Sequence, residues 1–174
     1  MKTKSIISKT ILSAILLAGF ATASQAQATA TATATATIVT PISIANISDM
    51  SFGNISVQAS NGGTVELDPA GNRTRTSGVT LPGTPGTVSA AAFTVTGTGG
   101  YTYAIILPNT VTLTRASGTE TMDVTSFVSN PSGVGLLSGG GTQDFSVGAT
   151  LTVAAGQAAG VYTSNSFDVT VNYN

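Results

Sequence analysis

ATATATATIVTPISI, residues Ala30 to Ile44, steps through four Ala–Thr pairs and then into heavier side chains without breaking stride. Ala28, Ala30, Ala32, Ala34, Ala36, Ile38, Ile42 and Ile44 hold the even positions, while Thr29 to Thr37, Val39 and Ser43 hold the odd ones. A linker has no reason to keep parity across the change from Ala to Ile. A period of two is that of a β-strand with one face buried, so the tract reads as a strand with a thin apolar face and a hydroxyl face. Ordering about ten such residues costs on the order of 10–20 kcal/mol of backbone entropy. Burying the alanine methyls and Ile38 returns roughly 5–7 kcal/mol, and some eight hydrogen bonds add about 1 kcal/mol each. The balance is near zero, so the tract needs a pre-formed groove to order.

What precedes the tract reads as a leader. Lys2, Lys4 and Lys9 form a basic region, Ile11 to Ala21 is apolar, and Ser24-Gln25-Ala26 offers the small residues of a cleavage site. Residues 1–26 are therefore expected to be a signal peptide, with an alternative cut after residue 28. The apolar run is short of the ~18 residues of a membrane span, so no transmembrane segment is expected. The protein is expected to be exported, in transit through the periplasm, to the cell surface or medium.

Removing the leader removes every lysine, and three arginines set against seven acids leave a net charge of −4. Such a surface does not suit nucleic acid, whose recognition needs clustered Lys and Arg. The 174-residue chain has no cysteine, histidine or tryptophan. Disulfides, imidazole or thiolate metal sites and the usual nucleophiles and general bases are therefore missing, and no enzyme, cofactor or metal site is expected.

The remainder is rich in Thr, Val, Ala, Gly and Ser, with period-two runs every ten or so residues and no helical stripe, the pattern of an all-β sandwich or barrel. Strands are expected over Ser51–Val57, Thr64–Leu67, Arg73–Leu81, Ala91–Thr96, Tyr101–Leu107, Thr110–Arg115, Met122–Val128, Phe145–Val153 and Val161–Asn174. Asp68-Pro69-Ala70-Gly71 reads as a turn and Gly97-Thr98-Gly99-Gly100 as a hairpin. Asn130 to Gly141 reads as a long loop. The glycines at 97–100 and 139–141 open no helix, so turns outweigh phosphate loops. Arg73 and Arg75 share one strand face; a solvated edge outweighs a carboxylate grip. Asp123, Asp144 and Asp168 fall on different strands, which gives a paired-carboxylate hydrolase little support.

At the C-terminus, Phe167, Val169, Val171 and Tyr173 share one parity and Asp168, Thr170, Asn172 and Asn174 the other. The chain resembles the DUF4402 family of exported bacterial proteins along TATATATIVTPISI, SFGNI, GTVELDPAG, AAFTVTG, YTYAIILP, FSVGATLTV and GVYTSNSFDVTVNYN. That family has no defined function but is similar to chaperone–usher pilins and to the spore coat protein U-like subunits of archaic pili. Archaic pilins often carry a disulfide, and here the sequence departs from them. The resemblance implies a single immunoglobulin-like, pilin-like β-sandwich over residues 39–174, preceded by an extension, residues 27–38, that acts as a donor strand. Ala30, Ala32, Ala34, Ala36 and Ile38 would enter the groove of the next subunit beside Phe167, Val169, Val171 and Tyr173, a strand that pilin chaperones also recognise. It further implies a homo-oligomeric fibre, with a periplasmic chaperone and an usher as partners. The alternative reading is a monomeric exported sandwich that binds a glycan or surface polymer.

Overall fold

A computed structural model of the chain describes residues 27–174, and the expected signal peptide lies outside the described residues. A first unit ends at Thr37 and a second spans Ile38–Asn174. In the first, residues 27–37 carry no strand and are exposed. The second is all β: among the described residues there is no helix, hence none long and apolar enough to cross a membrane.

Thirteen strands form among the described residues, in chain order β1 (Ser43–Ser48), β2 (Ser56–Val57), β3 (Gly63–Leu67), β4 (Arg73–Arg75), β5 (Val79–Thr80) and β6 (Ala91–Thr96). Then follow β7 (Thr102–Ile106), β8 (Thr110–Arg115), β9 (Thr121–Asn130), β10 (Val134–Leu136), β11 (Thr142–Val153), β12 (Tyr162–Thr163) and β13 (Thr170–Tyr173). The large antiparallel sheet runs β1-β6-β11-β9-β8-β12, a small one runs β10-β7-β13, and β2 pairs with β5. Strand β11 organises the large sheet. One edge of it pairs with β6 over Thr142–Val147 and then with β3 over Ala149–Val153, while the other pairs with β9. Gly148 sits at the hand-over, where a Cβ would come 2.2 Å from the Leu67 carbonyl oxygen.

Two apolar clusters fill the sandwich. In the first, Phe93, Val95, Phe145 and Val147 of the large sheet meet Tyr103, Ile105 and Val171 of the small one, with Phe93 and Phe145 stacked at 5.3 Å. The Tyr103 phenol is fully buried; it donates to Gln143 Oε1 at 2.8 Å, and burial pushes its pKa up. In the second, Phe52 and Val79 cover Val65, Leu67, Val124, Leu151 and Val153. Strand β9 serves both clusters only because it changes parity. Met122 and Val124 face inward, then Phe127 and Ser129 do. Between the Thr125–Thr150 and Val128–Gly148 pairs, two residues oppose one, and Ser126 adopts a φ of +52°. That is a β-bulge; without it Phe127 would point to solvent.

Several expectations are corrected. Gly97–Gly100 is not a hairpin: β6 and β7 belong to different sheets, and the loop carries the chain from one layer to the other. The expected loop Asn130–Gly141 contains β10, a strand too short and too glycine-rich to show a period. Ser51–Val57 shrinks to a bridge between Ser51 and Ser89 plus β2, because Gly53 turns the backbone at φ +65°. Arg73–Leu81 divides at Gly78, with φ +91°, into β4 and β5. Val161–Asn174 divides as well, β12 joining the large sheet and β13 the small one. Arg73 and Arg75 stand on an edge strand, half-buried and exposed respectively, and also make local hydrogen bonds: Arg73 donates to the carbonyls of Phe52 and Asn54, and Arg75 to that of Val79.

The Asp68–Asn72 turn is held by its acid. The carboxylate accepts from the Asn72 backbone N–H at 2.8 Å and from the Asn72 amide at 3.0 Å, and these bonds lower its pKa. A depressed folded pKa gives stability that is present above the ordinary carboxylate range and lost as pH falls through the folded value. Asp68→Ala is therefore expected to flatten the fall of the thermal midpoint as pH drops through and below the ordinary carboxylate range; an unchanged slope would place the acid sensitivity elsewhere. At the bulge, Ser126→Val is expected to cost about 1–3 kcal/mol, whereas Ser126→Gly is neutral or stabilising. Urea midpoints at unchanged m-value separate the two.

Candidate functional site

The two sheets do not close along one side. β1 is the last strand of the large sheet and β13 the last of the small one, and the two lie beside each other across the seam. Below them the seam widens into a cleft of about 1050 Å³. The segment Met50–Val57 forms one wall and residues 157–167 the other, over a floor that includes Leu113, Met122 and Phe127.

The backbone along this seam is available for pairing. The Asn174 N–H donates to the Thr102 carbonyl at 3.2 Å. Backbone groups in an antiparallel strand alternate in direction, so Thr170, Asn172 and Asn174 address β7. Val171 and Tyr173 then turn their N–H and C=O groups to the opposite edge, with which no strand pairs among the described residues. The same two residues send their side chains into the first core cluster. β1 is arranged alike. Gly97 N–H bonds to Gly141 O, so Thr94 and Thr96 address β1, where they meet Ala45 and Ser43. Ile44 between them turns its backbone to the seam and its side chain partly into the core.

The far edge of the small sheet is closed by contrast. On β10 the outward N–H of Leu136 donates to Gln143 Oε1 at 2.8 Å, and that of Val134 to the Ser132 carbonyl at 2.7 Å. An edge whose donors are capped offers a poor template for another strand. The small sheet therefore presents its β13 edge for pairing and blunts its β10 edge.

Tyr173 fixes the upper end of the seam. Its hydroxyl accepts from Thr98 N–H at 2.7 Å and donates to the Thr40 carbonyl at 2.8 Å, while Thr40 N–H donates to Thr98 Oγ1 at 2.9 Å. Tyr101 packs edge-on against the ring at 5.6 Å. A Cβ on Gly97 would come 2.2 Å from the Tyr173 oxygen, so the first glycine of the Gly97-Thr98-Gly99-Gly100 run clears the seat of the hydroxyl. The N-terminal arm is thereby pinned to the C-terminal strand at Thr40, two residues beyond Ile38.

The residues singled out in the sequence fall as follows. Phe167, Val169, Val171 and Tyr173 come together along the seam, all packing on the first core cluster, and Phe167 lies 5.6 Å from Phe127. Only Val171 and Tyr173 are in a paired strand; Phe167 and Val169 keep the inward parity as the chain crosses between sheets. Ala30, Ala32, Ala34 and Ala36 belong to the first unit, carry no strand and are exposed. Ile38 opens the second unit and is 97 % exposed. Sequence reasoning missed Thr40, Thr98 and Gln143, whose roles rest on hydrogen bonds to residues distant in the chain and leave no local pattern. Asp144 accepts the hydroxyl of Thr94 and Asp123 that of Thr112.

Residues 42–173 match the family model described as a domain of unknown function, DUF4402. No curated protein matches the chain.

Removing the Tyr173 hydroxyl should loosen the seam without collapsing the core. Tyr173→Phe is expected to cost about 0.5–1.5 kcal/mol, since Thr98 N–H and Thr40 C=O exchange a protein partner for water. Hydrogen exchange at Thr98 should accelerate more than at Val95, and equal change at both amides would show that the hydroxyl holds nothing local.

Proposed function

The chain belongs to the DUF4402 family, and from that premise we propose that it is a structural subunit of a bacterial surface fibre. Each copy is an incomplete immunoglobulin-like, pilin-like sandwich, and the Ala30–Ile38 tract of one copy completes the seam of the next. The observation that carries this reading is the unpaired edge of β13, whose inward side chains pack on the first core cluster, with Phe167 of the same C-terminal segment lining the open cleft. Strand addition to such an edge gains main-chain hydrogen bonds along the backbone and selectivity from alternate side chains.

The chemistry of the tract supports the pairing. At about 3.3 Å per residue, Ala30 to Ile38 spans roughly 30 Å, comparable with the stretch of chain from Asn165 to Tyr173 along the seam. Alanines on one parity let the backbone approach the seam closely, and Ile38 brings a bulky side chain to it. The threonines take the solvent side. The tract has no charge to desolvate. Because donor and acceptor are different surfaces of one chain, the contact is head to tail, and with a rotation that does not close it generates an open fibre. An export signal, passage through the periplasm, and chaperone and usher partners that cover the seam before assembly belong to the same reading.

The test compares mature protein with and without residues 27–38. Full-length protein is expected to give heat-resistant ladders and filaments and the truncated form monomers, while Ile38→Asp blocks assembly and leaves the melting curve of the domain in place. A synthetic peptide of residues 28–38 should raise the thermal midpoint of the truncated form. Equal assembly with and without the tract would overturn the fibre. A truncated monomer that ignores the peptide would overturn the seam as acceptor.

A further inference from the structure

Asn61 is followed by glycine; the other asparagines within the chain precede Ile, Arg, Thr, Pro, Ser or Tyr, whose side chains screen the next amide nitrogen. An asparagine carboxamide sits one methylene from its own main chain. The nitrogen of the following residue can therefore reach Cγ and close a five-membered ring, an intramolecular attack governed by access and orientation. Asn61 is exposed and leads into β3 outside any strand. Among the described residues the Gly62 N–H donates to no backbone carbonyl. The carboxamides of Asn46, Asn54 and Asn72 are held by Asp49, the Thr84 carbonyl and Asp68, whereas nothing among the described residues holds that of Asn61. Packing also demands the glycine. A Cβ at position 62 would come 2.6 Å from the Val153 carbonyl oxygen and 2.9 Å from the Ala155 nitrogen, so no side chain that would slow ring closure fits there.

We propose that Asn61 is a self-modification site that deamidates through a cyclic imide, and that the fold directs the product to aspartate. The Gly62 nitrogen bonds to Asn61 Cγ, the Cγ–Nδ2 bond breaks, and ammonia leaves with the proton from Gly62. Water, the one co-reactant, then opens the ring and returns a proton to that nitrogen. Attack at the main-chain carbonyl of Asn61 routes the chain through Cβ as isoaspartate; attack at Cγ gives ordinary aspartate. Gly78 backs the main-chain carbonyl so closely that a Cβ on it would come 2.4 Å from the Asn61 oxygen and 2.7 Å from the Asn61 carbonyl carbon. Isoaspartate would also lengthen the main chain by a methylene just after Gln58. That residue is fastened on both sides, its N–H to the Gly78 carbonyl at 2.8 Å and its C=O to the Gly156 N–H at 2.9 Å. Water is thereby steered to the exposed Cγ. The change turns seven acids into eight against three arginines, taking the net charge without the leader from −4 to −5.

The inference stands whether or not copies of the chain assemble, and its test needs only the mature protein. Folded protein is held in neutral and in mildly alkaline buffer made with heavy-oxygen water, then followed by ion exchange and peptide mass spectrometry. A species with one further negative charge should accumulate, faster at the higher pH because the attacking nitrogen must lose its proton, with the heavy oxygen located at residue 61. Conversion at Asn61 should exceed that at Asn165, which is also exposed and precedes Ser166, by at least about tenfold. Asn61→Gln, whose longer side chain disfavours the ring, should abolish the acidic species. Fragmentation that separates the two isomers should find mostly aspartate in folded protein and a larger share of isoaspartate in protein held in urea. An Asn61 that stays intact when folded while converting in urea overturns the site. Equal isomer ratios in the two states overturn the steering by Gly78.

Discussion

The rest of this structure depends on the last strand having only one neighbour. β13 closes the first core cluster with Val171 and Tyr173 and pairs with β7, yet its opposite edge turns free backbone groups to the seam. A hydrogen bond left unmade at a buried edge is costly, and one left to water is not. The seam is therefore stable as an open feature only while water reaches it, and it gains whenever a strand replaces that water. This links the cleft, the clamp at Tyr173 and the period-two tract into one proposal: the sandwich folds far enough to have a core and stops short of completing its wall.

The two edges of the small sheet are treated in opposite ways. Gln143 crosses from β11, accepts the buried Tyr103 hydroxyl and caps the outward amide of Leu136 with the same oxygen. One side chain thus anchors the core and blunts β10. At β13 nothing comparable stands in the way. Capping β10 confines strand addition on the small sheet to its β13 edge.

Much of the strand inventory was legible because the period of two is local: Ala91–Thr96 and Thr110–Arg115 fall where the alternation places them. Other elements were not legible. The inward parity of β9 changes at Ser126, a residue with no special mark in the sequence, because the register with β11 demands an extra residue there. A run of glycines between two strands suggested a hairpin, yet β6 and β7 separate into different layers. Local turn chemistry allows both outcomes, and the deciding contact is between Tyr173 and the Gly97-Thr98 backbone. Val134–Leu136 became a strand only because β7 offered it an edge.

Sequence alone determined the class of the fold, the inward parity of the C-terminal segment and the identity of the thin, uncharged N-terminal tract, since each is fixed by alternation along a few consecutive residues. It also determined that histidine and cysteine, absent from the chain, take no part in the chemistry. Which strands neighbour which, which edge is capped and which is free, and where the N-terminal arm is pinned were decided by tertiary structure. The reason is physical: sheet order, bulge register and the Tyr173 bonds to Thr98 and Thr40 depend on groups brought together from opposite ends of the chain. No run of neighbouring residues encodes such a meeting.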